Sequence, residues 1–234
     1  SYSEVKDMHE RIYTIPVNTA FEQHDDCPFC LLYKQLEATE IDLITGASMM
    51  EPDVRVRTNK LGFCRHHFDM MYENQKRLSL ALTIQSHLEE LKKEISAGGF
   101  LSRDAAAKPV KRIGELNESC YVCGRIEGNF EKMFETACLL FDEEREFRDK
   151  FMAQKMFCLP HYARMLEAGK RVLSKRYYPE LIKEADAIEQ KYLASLYDDI
   201  SLFCKKFDYR YKDEPWGNAK DSVERAIDFL KSKA

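Results

Sequence analysis

Two cysteine-rich sets, in the same order and register, constrain this chain more than any other feature. Cys27-Pro28-Phe29-Cys30 is followed by Gly62-Phe63-Cys64-Arg65-His66-His67. Cys120-Tyr121-Val122-Cys123 is followed by Phe157-Cys158-Leu159-Pro160-His161. Corresponding ligand positions lie 93, 93, 94 and 94 residues apart, the spacing a duplicated unit with one insertion would leave. The surroundings agree: a lysine lies upstream of each Phe-Cys (Lys60, Lys155), an aromatic follows each His (Phe68, Tyr162), and a Met sits four beyond each His (Met71, Met165).

C-x-x-C with C-x-x-H supplies three thiolates and one imidazole, the donor set of a closed, tetrahedral, structural zinc site. Four protein ligands leave no open position for a catalytic water. Taken in chain order, the motifs assign Cys27, Cys30, Cys64 and His67 to one ion and Cys120, Cys123, Cys158 and His161 to a second, hence two zinc ions per chain. Iron–sulfur ligation, disulfide or thiol redox chemistry and inert core thiols use the same residues, and the spacing alone leaves them open. His66 competes with His67, but its counterpart in the second set is Pro160, which cannot ligate; the register selects His67. His9, His24 and His87 have no partner pattern and read as solvated; His24, next to Asp25, is the one that merits closer inspection. Cys138 and Cys204 stand outside the sets, the first between Ala137 and Leu139 and the second beside Phe203, and read as buried thiols.

The periodicity is helical nearly throughout. Ala81, Ile84, Leu88, Leu91 and Ile95 step by three and four, which predicts one helix from about His66 to Ile95 and about 45 Å long. Leu181, Ala185, Ile188, Tyr192, Leu196, Ile200, Phe203 and Phe207 form a second ladder, and Phe130, Phe134, Ala137 and Phe141 mark a third. Pro28 and Pro160 suit first helical turns, with Asp25 or Asp26 as an N-cap for the former. Val54 to Arg57 alternates like a strand, but Glu51-Pro52 and its helical counterpart in the second set favour helix. The expected fold is all-α: two tandem helical repeats, each pinned by a Cys3His site, plus a C-terminal helix. The expected divisions are 1–96, a linker 97–116 containing Ala97-Gly98-Gly99 and the basic run Lys108 to Arg112, 117–207, and 208–234 with Asn218 capping a last helix.

Composition narrows the function. Of 234 residues, 36 are Lys or Arg and 40 Asp or Glu, a net charge of −4 that argues against nucleic acid as a partner. No apolar run reaches the ~20 residues of a membrane span, and no signal peptide opens the chain, so a cytoplasmic location is expected. Nucleotide-loop, zincin, di-iron and haem-attachment motifs are missing, and no catalytic constellation can be named. The sequence thus reads as a zinc-stabilised helical binding or scaffold protein whose partner is a protein or small molecule, with no chemistry at the metal. A redox or iron–sulfur protein on the same ligands is the alternative, and an enzyme with a site in the groove between repeats is a third.

These paired motifs, with the tail Phe207-Asp208-Tyr209-Arg210 and Pro215-Trp216-Gly217, resemble a bacterial family of functionally uncharacterised proteins. The resemblance implies a bacterial intracellular protein with a duplicated cysteine architecture, and brings no activity, substrate or catalytic residue with it.

Overall fold

The computed structural model describes residues 2–24, 26–96, 104, 106–211 and 213–232, with side chains from residue 12 onward. Asp25 and the Ala97-Gly98-Gly99 stretch lie outside the described residues, as does the side chain of His9. Among the described residues there are helices and turns and no strand, as the periodicity requires.

The chain divides into two compact units that are nested in sequence. One combines residues 1–34 with 130–234, and the other is residues 35–129, inserted between these segments. These bounds differ from the expected divisions at 96 and 117. Local order in the chain cannot reveal such nesting, because both units draw helices of the same pattern.

The discontinuous unit holds α1 (Tyr2–Phe21), the start of α2 (Pro28–Ile44), the end of α7 (Tyr121–Glu143), α8 (Arg145–Met152), α9 (Leu159–Val172), α10 (Tyr177–Lys205) and α11 (Ser222–Lys231). Its core is built from phenylalanine. Phe21, Phe29, Phe130, Phe134, Phe141, Phe147, Phe151, Phe157 and Phe229 are all fully buried. Phe29 stacks on Phe134 at 4.1 Å between ring centroids, and Phe141 meets Phe151 edge-on at 4.9 Å. Each such ring pair adds about 0.5–1.5 kcal/mol beyond its burial. Pro179 sits in the first turn of α10, where its missing N–H is harmless. The ladder of α10 buries Leu181, Ala185, Ile188, Tyr192 and Leu196, but its last rung fails: the helix stops at Lys205 and Phe207 is exposed. Gly169 lets α9 approach α10, since a Cβ there would lie 2.6 Å from Leu181 Cδ2. The last helix begins at Ser222 with Asp221 as N-cap, three residues later than Asn218 would set it.

The inserted unit holds the rest of α2, a 3-10 turn (Ala47–Met50), α3 (Pro52–Leu61), α4 (Arg65–Glu73), α5 (Arg77–Glu94), α6 (Ala107–Asn117) and the start of α7. Val54 to Arg57 is helical, as Pro52 at the start of α3 anticipates. The single helix expected from His66 to Ile95 is two. Gln75 adopts a left-handed φ of 61°, which no continuous α-helix tolerates, and the chain turns between α4 and α5. The basic run taken for linker forms α6. Arg112 pairs with Glu94 and donates to Asn59 O at 3.1 Å, while His87 Nδ1 donates to the same oxygen at 3.0 Å. His87 is thus a structural group, with burial the first cause that lowers its pKa.

Candidate metal centres

All four ligand motifs share one local construction. Cys64 and Cys158 are the N-caps of α4 and α9, with extended backbones, so His67 and His161 fall three positions on, in the first turn. Cys27 and Cys120 stand immediately before α2 and α7, which puts Cys30 and Cys123 at the same third position. In every case the carbonyl of the first ligand accepts the opening helical bond: Leu31, Phe68, Gly124 and Tyr162 donate to Cys27, Cys64, Cys120 and Cys158 at 3.3, 3.1, 3.1 and 2.8 Å. The first sulfur can then turn back over the helix end, as Cys120 Sγ does to accept from Cys123 N–H at 3.5 Å. Helix N-termini carry partial positive charge, which favours thiolate over thiol.

The eight residues assemble into two Cys3His groups, but not in chain order. Cys27 and Cys30 join Cys158 and His161; Cys64 and His67 join Cys120 and Cys123. Each C-x-x-C therefore pairs with the C-x-x-H of the other set, correcting the assignment of one set to one ion. Each group lies wholly within one unit. Backbone contacts explain the crossing. Tyr121 N–H donates to Gly62 O at 2.9 Å and Ser119 Oγ to Leu61 O at 2.7 Å, holding the start of α7 against the start of α4. In the discontinuous unit, Gln154 Nε2 donates to Phe21 O at 2.7 Å, tying the approach to α9 to the end of α1.

The geometry suits a single ion in each group. Ligand atoms of a group lie within 4.8 Å of one another. In the first, Cys30 Sγ is 3.6 Å from Cys158 Sγ, and His161 Nδ1 is 3.7, 3.5 and 3.1 Å from the sulfurs of Cys27, Cys30 and Cys158. In the second, Cys64 Sγ is 3.9 Å from Cys123 Sγ, and His67 Nδ1 is 3.2, 3.3 and 3.4 Å from Cys64, Cys120 and Cys123. A regular tetrahedron with zinc-like bond lengths has S–S edges of about 3.8 Å and S–N edges of about 3.6 Å.

Without an ion these thiols cannot all ionise. Burial pushes Cys27 well up, whereas hydrogen bonds from Cys158 and Cys27 bring Cys30 far below the ordinary thiol value. Burial opposes ionisation of Cys120 too, but the His67 ring and the backbone N–H groups of Cys123 and Cys64 outweigh it and lower it to about 6. Cys123 is pushed up to about 12, by burial first and then by Cys120. The donor chemistry therefore accommodates a cation, which relieves the repulsion between thiolates.

The two groups differ in setting. Cys27, Cys30, Cys158 and His161 are all buried, and the rings of Phe130, Phe134 and Phe29 stand 5.2, 5.8 and 6.3 Å from the imidazole. In the other group His67 is buried, Cys64 and Cys120 are half-buried and Cys123 is exposed. His66 is outside both Cys3His groups. Its ring is 65 % exposed and its Nε2 is 3.0 Å from Glu37 Oε1, the same oxygen that lies 3.3 Å from His67 Nε2. Glu37 thus receives the outer ring nitrogen of His67 while the inner one faces the sulfurs. Neither Glu37 nor Ser232, whose Oγ is 3.4 Å from Cys30 Sγ, carries a sequence signal, since both act from far along the chain. Cys138 is buried as expected; Cys204 is exposed, correcting the reading of it as a core thiol. His24 accepts from Gln154 Nε2 at 3.2 Å.

A family model described as a family of unknown function (DUF6062) matches residues 8–234. The chain belongs to this family. No curated protein and no solved structure matches it. The expected resemblance to a family of unknown function thus holds, and in this DUF6062 chain no described helix is long and apolar enough to cross a membrane.

Proposed function

We propose that this chain is a helical binding protein whose two units are each held by one structural zinc ion. Cys27, Cys30, Cys158 and His161 would hold one, and Cys64, His67, Cys120 and Cys123 the other. The observation that carries the reading is the convergence of four complete ligands within each unit from segments far apart in sequence. Zinc is favoured because three thiolates and one imidazole around a single centre form a closed tetrahedral set. An iron–sulfur cluster would have to spread four ligands over several irons, and ligand atoms within 4.8 Å of one another favour a mononuclear centre. With every position filled by protein, the ion itself does no chemistry, and function falls to the surrounding surface.

A polar cleft in the discontinuous unit supports a small-molecule ligand. It has a volume of about 710 Å³ and is lined by residues that include Lys155, Glu184, Lys191, Tyr192, Asp199 and Arg225. Cavities of this size hold metabolite-sized molecules. Elemental analysis of protein purified without oxygen tests the metal reading: it should give two zinc ions per chain, and iron with visible absorption would replace this reading with the redox alternative.

A further inference from the structure

The two metal centres differ in what can reach their sulfurs. The group on α2 and α9 has every ligand buried and its imidazole surrounded by phenylalanine. In the group on α4 and α7, Cys123 is exposed, with Cys64 Sγ 3.9 Å from its sulfur and Cys120 the companion in its own C-x-x-C. Oxidation of cysteine by a peroxide needs a thiolate, solvent access and a nearby second thiol to close a disulfide. A metal ion meets the first need by holding its sulfurs deprotonated. Access separates the two groups.

We infer that the Cys64–His67–Cys120–Cys123 centre is an oxidation site, at which hydrogen peroxide oxidises Cys123 and the ion is lost while the buried centre keeps its own. The inference rests on the metal reading above. The Cys123 thiolate displaces hydroxide from the peroxide, so an S–O bond forms and the O–O bond breaks. A second thiolate of the same group, Cys64 or Cys120, then attacks the sulfenic sulfur; an S–S bond forms and hydroxide leaves. Two electrons from sulfur have reduced the peroxide, and two protons complete two waters. Zinc keeps its charge throughout. Only one thiolate and His67 would remain to hold the ion, too few to retain it. A thiol reductant reverses the disulfide, and added zinc refills the site.

Cys204 is the other exposed thiol described, and it lies outside both groups. The experiment therefore uses the full-length zinc-loaded protein, both unchanged and as Cys204→Ser. Zinc is counted first; fewer than two ions per chain defeats the metal reading itself. Hydrogen peroxide is then added with a chromogenic chelator present, and disulfides are mapped by mass spectrometry. The expected result is release of one zinc ion per chain, at least about tenfold faster than the second, with a disulfide that contains Cys123. Both proteins should behave alike, and reductant with zinc should restore the count. Equal release of both ions, a disulfide that omits Cys123, or oxidation of Cys123 without release overturns the inference.

Discussion

At the scale of single residues, the sharpest test separates two neighbouring histidines. His67→Ala should lose one zinc ion and open Cys64, Cys120 and Cys123 to alkylation, leaving Cys27, Cys30 and Cys158 protected; metal counting and mapping of alkylated cysteines check both halves. His66→Ala should keep both ions and shift stability by no more than about 0.5 kcal/mol, since its ring is largely in solvent. Glu37→Gln should weaken the same centre, because the carboxylate receives the outer nitrogen of the His67 ring; losing such a partner lowers metal affinity about 10–100-fold, measurable by competition with a chelator. A second carboxylate gives a pH effect. Glu189 is 3 % exposed and accepts from Phe157 N–H at 2.7 Å, but its other oxygen has no partner. Burial raises it from 4.5 to about 7, with Asp186 adding to the rise, and Tyr162 feels both acids in turn. The folded state then binds the proton more tightly than the unfolded chain. Its contribution to stability is full below the unfolded value and is lost as pH rises through about 7. Glu189→Gln should flatten that part of the stability profile and raise stability at pH 8 by on the order of 1 kcal/mol, read from denaturant melts. The eight residues of the two Cys3His groups were legible in the sequence because the chemistry and spacing of such motifs are local. Glu37, Ser232 and Glu189 were not, because a hydrogen bond from a distant helix leaves no local pattern.

At the scale of elements, the rule that a ligand motif opens a helix follows from Pro28 and Pro160 and is met four times. Helix breaks were harder to read. Gln75 sits within an amphipathic run and interrupts it through a backbone conformation that its residue type does not advertise, so one long helix was expected where two exist. Gly62 is the more telling turn. Its φ is 60°, a Cβ would come within 3.1 Å of Leu116 Cδ2, and its carbonyl accepts from Tyr121 N–H. Gly62→Ala should therefore strain the turn into α4 and loosen its hold on α7, costing about 1–2 kcal/mol. Thermal melting should show that loss, and the centre on α4 and α7 should give up zinc to a chelator more readily than the buried one.

At the scale of the whole chain, helical content was legible from periodicity, and connectivity was not. Repeats in register invite the simplest pairing, of each C-x-x-C with the next C-x-x-H; the chain takes the other, and only long-range contacts such as Tyr121 to Gly62 decide it. The nesting has a consequence during synthesis. The inserted centre is complete once Cys123 exists, and its ligands span 53–59 residues between His67 or Cys64 and the second pair. The other opens with Cys27, made before any ligand of the inserted centre, yet waits for His161, 134 residues later. Loop closure alone disfavours the longer span by about 1 kcal/mol. A chain released from the ribosome before residue 158 should hold one zinc ion, with Cys27 and Cys30 still open to alkylation, and metal counting on such a fragment would show it. Of the two C-x-x-C pairs, the one made earlier would be the one satisfied later, so the growing chain would carry a waiting chelate across those 134 residues of translation.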